Sequence, residues 1–74
     1  SAGPLSSAIH KGIADGSVRT DIDLPSLYYN TYDALLGLIQ KLAIGGRNNT
    51  ADDEYASIRL EQFCTMMEGF YRKR

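Results

Sequence analysis

Few residues in this sequence have side chains and spacings suited to catalysis or metal binding. His10 is the only histidine, and no second ligand-type residue lies three or four positions away to form a metal pair. Asp15, Asp21 and Asp23 form an acidic cluster in front of a predicted helix, where carboxylates cap and stabilise the N-terminus. Acid–base catalysis instead needs carboxylates in a water-poor cleft. These patterns favour surface and capping roles.

The other reactive groups also lack the partners that a catalytic site needs. Cys64 is the only cysteine, and its apolar neighbours at helical spacing favour a buried free thiol in a reducing cytoplasm. The triplet Asn48-Asn49-Thr50 matches a glycosylation acceptor, but a loop followed by a helix cap is the preferred interpretation. Nucleophile elbows, phosphate loops and metal motifs are missing from the sequence. We therefore expect no catalytic residue, cofactor or metal, and a protein that is not an enzyme.

A group of tyrosines is the most suggestive feature for binding. Tyr28, Tyr29 and Tyr32 lie at the start of the second predicted helix. Tyrosine carries an apolar body and a polar tip, so core and interface packing is one interpretation. The other is that one or two of these tyrosines line a pocket for an aromatic or lipophilic ligand.

The length and net charge of the chain limit the classes of protein to which it can belong. The chain has 74 residues, enough for a single domain over residues 1–74, and such a chain buries only about 60% of its unfolded surface. With a net charge of −1, the chain lacks the excess of positive charge that is typical of nucleic-acid-binding proteins. No apolar run approaches the roughly 18 residues of a membrane span, so no membrane contact is expected. Ser1 and Ala2 are expected to be a tag remnant, and the missing initiator methionine suggests a fragment of a longer protein.

Hydrophobic periodicity predicts an all-α fold with three helices, over about residues 5–15, 25–44 and 51–72. Pro4 and Pro25 suit first helical turns, and Gly16 suits a left-handed helix stop. The first helix has one narrow apolar stripe, formed by Leu5, Ala8, Ile9, Gly12 and Ile13.

The two long helices carry more apolar surface than one short helix covers. The second is apolar over roughly 220° of its circumference and the third over about half of it. A contiguous apolar patch of this kind usually marks an interaction surface. A homodimer in which two helices from each copy form a four-helix bundle would cover it, and so would a part of the protein absent from this chain. The expected dimer interface comprises Leu36, Ile39, Ala43, Leu60, Phe63, Met67 and Phe70. Which apolar half of the second helix faces the partner stays open.

Two segments resemble the C-terminal half of TetR-family transcription regulators. Residues 12–25 read GIADGSVRTDIDLP, and residues 34–39 read ALLGLI. In that family a helix commonly ends in a glycine turn of the form G-x-[VL]-R-x-D, which residues 16–21 match. A long helix with Gly-Leu near its middle, a loop and a last amphipathic helix then follow. The order and lengths of the three segments agree, so the resemblance covers nearly the whole chain.

The resemblance implies an effector-sensing and dimerisation domain whose last two helices form a four-helix bundle in a homodimer. It implies that DNA is contacted only through an N-terminal helix-turn-helix domain absent from this chain. It also implies an effector pocket built mainly from helices upstream, to which the side of Tyr28, Tyr32 and Leu35 contributes. A cytoplasmic regulator is the expectation. The alternative is a free-standing helical module that binds another protein.

Overall fold

The computed structural model describes residues 3–45 and 50–74, which contain three α-helices and no β-strand. Helix α1 spans Pro4–Asp15, α2 spans Leu24–Gly45 and α3 spans Thr50–Tyr71. The predicted bounds are therefore confirmed to within one residue. Gly45, which the sequence pattern assigns to the loop, is the last residue of α2. The rest of that loop, with Asn48 and Asn49, lies outside the described residues.

The ends of the first two helices follow from local chemistry. Pro4 begins α1, where a missing N–H costs nothing. Gly16 ends α1 with φ 84°, in the left-handed region, and its N–H donates to the carbonyl of Ile13. The carboxylate of Asp23 accepts a hydrogen bond of 3.1 Å from the N–H of Ser26, which confirms its predicted capping role at α2.

Asp21 does not cap α2 in this structure but pairs with Arg19. The Arg19 Nε and Nη2 atoms donate to the two oxygens of Asp21 at 2.7 and 3.0 Å. The guanidinium hydrogen bonds lower the pKa of Asp21 from its ordinary value of 3.8. A carboxyl with a depressed pKa in the folded state stabilises that state above the unfolded pKa, and the contribution disappears as the pH falls through the folded pKa.

A pH series of unfolding experiments tests this ion pair. We expect Asp21→Asn to lower the free energy of unfolding at pH 6, with the difference from wild type shrinking as the pH drops below 3.8. Arg19→Gln is the matched variant, and it should remove the same pH-dependent part. A difference that stays constant from pH 6 to pH 3 would contradict the pairing.

Helices α2 and α3 form an antiparallel hairpin, and α1 lies against its lower half, where α2 begins and α3 ends. The hydroxyls of Thr31 in α2 and Tyr71 in α3 lie 2.8 Å apart and join these two ends. The connector after α1 is tied to the end of α3 by backbone pairing: Arg19 N–H donates to Tyr71 O, and Lys73 N–H donates to Ser17 O, both at 2.9 Å.

Close packing between Gly12 of α1 and Val18 of the connector fixes the position of α1. Gly12 is buried, and its carbonyl accepts a hydrogen bond of 3.0 Å from the N–H of Val18. A Cβ at Gly12 would overlap the side chain of Val18, so the absence of a side chain is what allows the chain to turn back here.

The closed core is small for three helices. Among the described residues, Ile9 and Tyr71 are the buried hydrophobic side chains, and Thr31 is a buried polar one. Large apolar side chains elsewhere remain accessible, with Leu36 at 55% and Phe70 at 50% exposure. None of the described helices is long and apolar enough to cross a membrane.

Candidate functional site

Two concave regions flank α1. The α1 cavity has a volume of about 450 Å³ and lies between α1 and the hairpin, with walls from all three helices. The tyrosine groove, of about 490 Å³, lies on the other side of α1 against the start of α2. Both fall within the size range of small-molecule sites, roughly 300–1,000 Å³.

The structure divides the predicted effector residues between these two regions. Tyr32 and Leu35 line the α1 cavity, whereas Tyr28 lines the tyrosine groove together with Tyr29. The ring of Tyr28 contacts both neighbouring tyrosines edge-on, with centroid distances of 5.6 Å to Tyr29 and 5.0 Å to Tyr32. Desolvation of Tyr28, followed by its hydrogen bond with Tyr32, raises the pKa of Tyr28. Effector binding at these residues stays a prediction.

The α1 cavity is apolar apart from a few groups. Thr31 and Tyr71 lie in its wall, and the Thr31 hydroxyl also donates to the carbonyl of Leu27 at 2.6 Å. Glu68 lies at the rim, with 69% of its side chain exposed and one carboxylate oxygen 3.6 Å from Arg72 Nη2. Sequence reasoning singled out none of these polar residues as part of a site.

Cys64 also lines the α1 cavity, and the prediction that its thiol is buried is wrong, because Cys64 is exposed. The residue lies three and seven positions before Met67 and Tyr71, on one stripe of α3. Periodicity correctly identifies that stripe as apolar. Burial fails because α1 covers only its lower end, near Tyr71.

The seven predicted interface residues do not share one face of the hairpin. Leu60, Phe63 and Met67 are half-buried, whereas Leu36, Ile39, Ala43 and Phe70 are exposed. At about 100° per residue, Leu36 and Ile39 lie on the flank of α2 that carries Tyr32. Phe70 lies on the opposite side of the hairpin, in a cavity of about 320 Å³.

That opposite side is the open face of the hairpin, the side away from α1. Its cavity is lined by Leu27, Asn30, Thr31, Ala34, Met67 and Phe70. Helical spacing places Gly37 after Asn30 and Ala34 on the same face, and a Cβ at Gly37 would meet nothing within 4 Å. Small side chains here leave room for a partner helix. Gly37, a glycine in the middle of a helix, is the sequence signal that could have pointed to this face.

Arg59 and His10 make local contacts within their own helices. The Arg59 guanidinium lies 5.6 Å from the ring centroid of Tyr55, a cation–π contact on the outer part of α3. His10 is exposed, with its Nδ1 atom 2.8 Å from the carbonyl oxygen of Ser6. The described residues contain no group of three or more histidine, cysteine or acidic side chains that could hold a metal ion.

Comparison with known proteins gives no relative. No protein-family model, no curated protein sequence and no solved structure matches the chain.

Proposed function

We propose that the chain is the effector-sensing and dimerisation domain of a TetR-type transcription regulator. In this proposal two copies join through a four-helix bundle made of α2 and α3 from each. The observation that carries the proposal is the unclosed hairpin: both of its long helices keep large apolar side chains exposed, and Phe70 of α3 does so in the cavity on the side away from α1. The three-helix order and the glycine turn at residues 16–21 supply the link to the family.

Exposed apolar area supports self-association. Phe70, which lines the cavity on the open face, is 50% exposed, and Met66, about one helical turn before it, is 53% exposed. Monomeric proteins rarely expose contiguous apolar patches larger than a few hundred Å². A twofold axis lets one such patch cover itself, which is the simplest way to bury it.

Geometry favours the open face over the flank next to α1. A four-helix bundle needs a face to which both helices of the hairpin contribute. On the α1 side, α1 itself occupies the lower half of that surface, where its residues line the α1 cavity. On the open face α2 offers Ala34 and Gly37 opposite the larger side chains of α3, a pairing that lets helices approach closely.

The sensing part of the proposal rests on the α1 cavity. A ligand there would touch α1 and both helices of the bundle together, because all three contribute wall residues. Its binding energy would then differ between two arrangements of α1 and the hairpin, which is the requirement for coupling one site to another. In the proposed parent protein, an N-terminal helix-turn-helix domain reads the DNA.

A second candidate, a helical module that binds another protein, is favoured by a different observation. A bundle on the open face leaves Leu36 and Ile39 uncovered at 55% and 45% exposure. Together with Tyr29, Tyr32 and Ala43 they follow the alternating three- and four-residue spacing of a coiled-coil seam. Such a seam fits one apolar helix of a partner.

Light scattering coupled to size-exclusion chromatography, over a dilution series, tests the proposed dimer. We expect twice the chain mass of 8.2 kDa, persisting to low micromolar concentration. A mass of 8.2 kDa at every concentration would contradict the dimer and favour the second candidate. Circular dichroism at the same concentrations checks that the helices are formed.

A further inference from the structure

We infer that the α1 cavity binds an uncharged apolar molecule that carries a single hydroxyl group, donated to Tyr71. This ligand would be the effector of the proposed regulator, and only that biological role rests on the proposed function. Binding itself can be measured whether or not the chain regulates transcription.

Apolar side chains from all three helices define the body of the ligand. Leu5 and Ile9 of α1, Leu35 of α2 and Met67 of α3 surround a space of about 450 Å³. A cavity of this size accommodates one or two fused rings or a medium-length chain. Met67 adds an adaptable wall, because its thioether side chain adjusts to rings of different shape.

The hydroxyl pair in the wall supplies one polar contact of defined direction. Thr31 uses its proton in the 2.6 Å hydrogen bond to the carbonyl of Leu27. The 2.8 Å contact between Thr31 and Tyr71 must then use the proton of Tyr71. The Tyr71 oxygen keeps lone pairs that accept no hydrogen bond from the described residues, although Tyr71 is only 8% exposed. A ligand hydroxyl donating to this oxygen would satisfy it.

Charge excludes anionic ligands. Glu68 is the only charged side chain among the described residues that line the cavity. A carboxylate, phosphate or sulfonate would meet like charge and would lose its hydration without a compensating cation. A cationic group gains little, because Glu68 is exposed and already lies near Arg72.

Three naphthalene compounds of nearly equal shape test the ligand class by fluorescence titration or calorimetry. We expect 2-naphthol to bind saturably with one site per chain and naphthalene to bind about five- to tenfold more weakly, since it lacks the hydrogen bond. Naphthalene-2-sulfonate should bind at least about tenfold more weakly than 2-naphthol. Equal affinity for 2-naphthol and the sulfonate would overturn the inference.

Tyr71→Phe isolates the polar contact. In the variant, 2-naphthol and naphthalene should bind with equal affinity. The affinity for naphthalene should be the same in the variant and the wild type. Retained naphthalene binding shows that the cavity is still formed, so a loss of the hydroxyl preference reports on the Tyr71 oxygen. An unchanged preference for 2-naphthol in this variant would overturn the assignment of Tyr71.

A matched pair of substitutions on α1 locates the site. Ala8 lines the α1 cavity, whereas Ala14 is exposed and lines neither the cavity nor the tyrosine groove. Ala8→Trp should fill the cavity and abolish 2-naphthol binding, and Ala14→Trp should leave it unchanged. Equal binding by both variants would place the ligand elsewhere.

The exposed thiol of Cys64 gives an independent readout in the wild-type protein. Saturating 2-naphthol should slow the reaction of Cys64 with a disulfide reagent about fivefold or more, because ligand and thiol share the cavity. Protection that appears with rising protein concentration and without 2-naphthol would show that a second copy fills the cavity, and would overturn the inference.

A dimer that fails to bind 2-naphthol refutes this site alone, whereas a monomer that binds it refutes only the proposed dimer.

Discussion

Phe70→Asp is expected to weaken the dimer about a hundredfold or more, because it removes a large apolar contact and introduces a charge on the open face. Phe70 is 50% exposed in the single chain, so the charge costs little before association. The substitution should therefore change the dissociation constant while leaving the helical content of the chain intact. Sedimentation equilibrium and circular dichroism measure the two quantities on the same samples.

Leu36→Asp is the matched control for this experiment. Leu36 is 55% exposed, nearly as much as Phe70, but it lies on the flank of α2 that carries Tyr32. If the bundle uses the open face, this variant should dimerise like the wild type. A monomeric Leu36→Asp protein beside a dimeric Phe70→Asp protein would place the dimer interface on the Tyr29–Ala43 seam and refute the open-face bundle.

The sequence predicts the helices well because their ends are local events. Pro4, Gly16 and Asp23 act through their own backbone or through a neighbour three residues away, and all three take the predicted roles. Tertiary context adds little to such signals. The one-residue extension of α2 to Gly45 reflects how weakly sequence marks a last helical turn.

The faces of the helices were harder to predict. Periodicity gives the angle of a residue around its own helix but not the direction in which the neighbouring helix lies. Since α2 is apolar on two sides, its pattern could not distinguish the flank of Leu36 and Ile39 from the face of Ala34 and Gly37. The predicted interface therefore combined residues of α2 from one side with Phe70 of α3 from the other.

The predicted effector site illustrates the same limit. Tyr28 and Tyr32 are four residues apart on one helix, and their rings touch, so a shared pocket is the natural expectation. The structure places α1 between the spaces that they line. The position of α1 depends on a tertiary contact, the approach of Gly12 to Val18, which no single-helix pattern encodes.

Substitution of Gly12 tests that contact directly. Gly12→Ala gains helix propensity of about 1 kcal/mol, yet we expect it to lower the free energy of unfolding by about 1–3 kcal/mol. The reason is that the new Cβ would overlap the side chain of Val18 and would lie 3.1 Å from the Ser17 hydroxyl. Both neighbours belong to the connector whose backbone is held by the end of α3, so the turn has little freedom to relax.

Gly69→Ala is the matched control, and it should raise the free energy of unfolding by about 0.5–1 kcal/mol. A Cβ at Gly69 meets nothing within 4 Å, so only the propensity gain remains. Urea unfolding of both variants at one protein concentration gives the comparison, because a dimer's stability depends on concentration. If both substitutions stabilise the protein, Val18 does not hold α1 in place. The wall that α1 contributes to the 450 Å³ cavity would then lose its structural support, and the ligand class inferred from that cavity would fail with it.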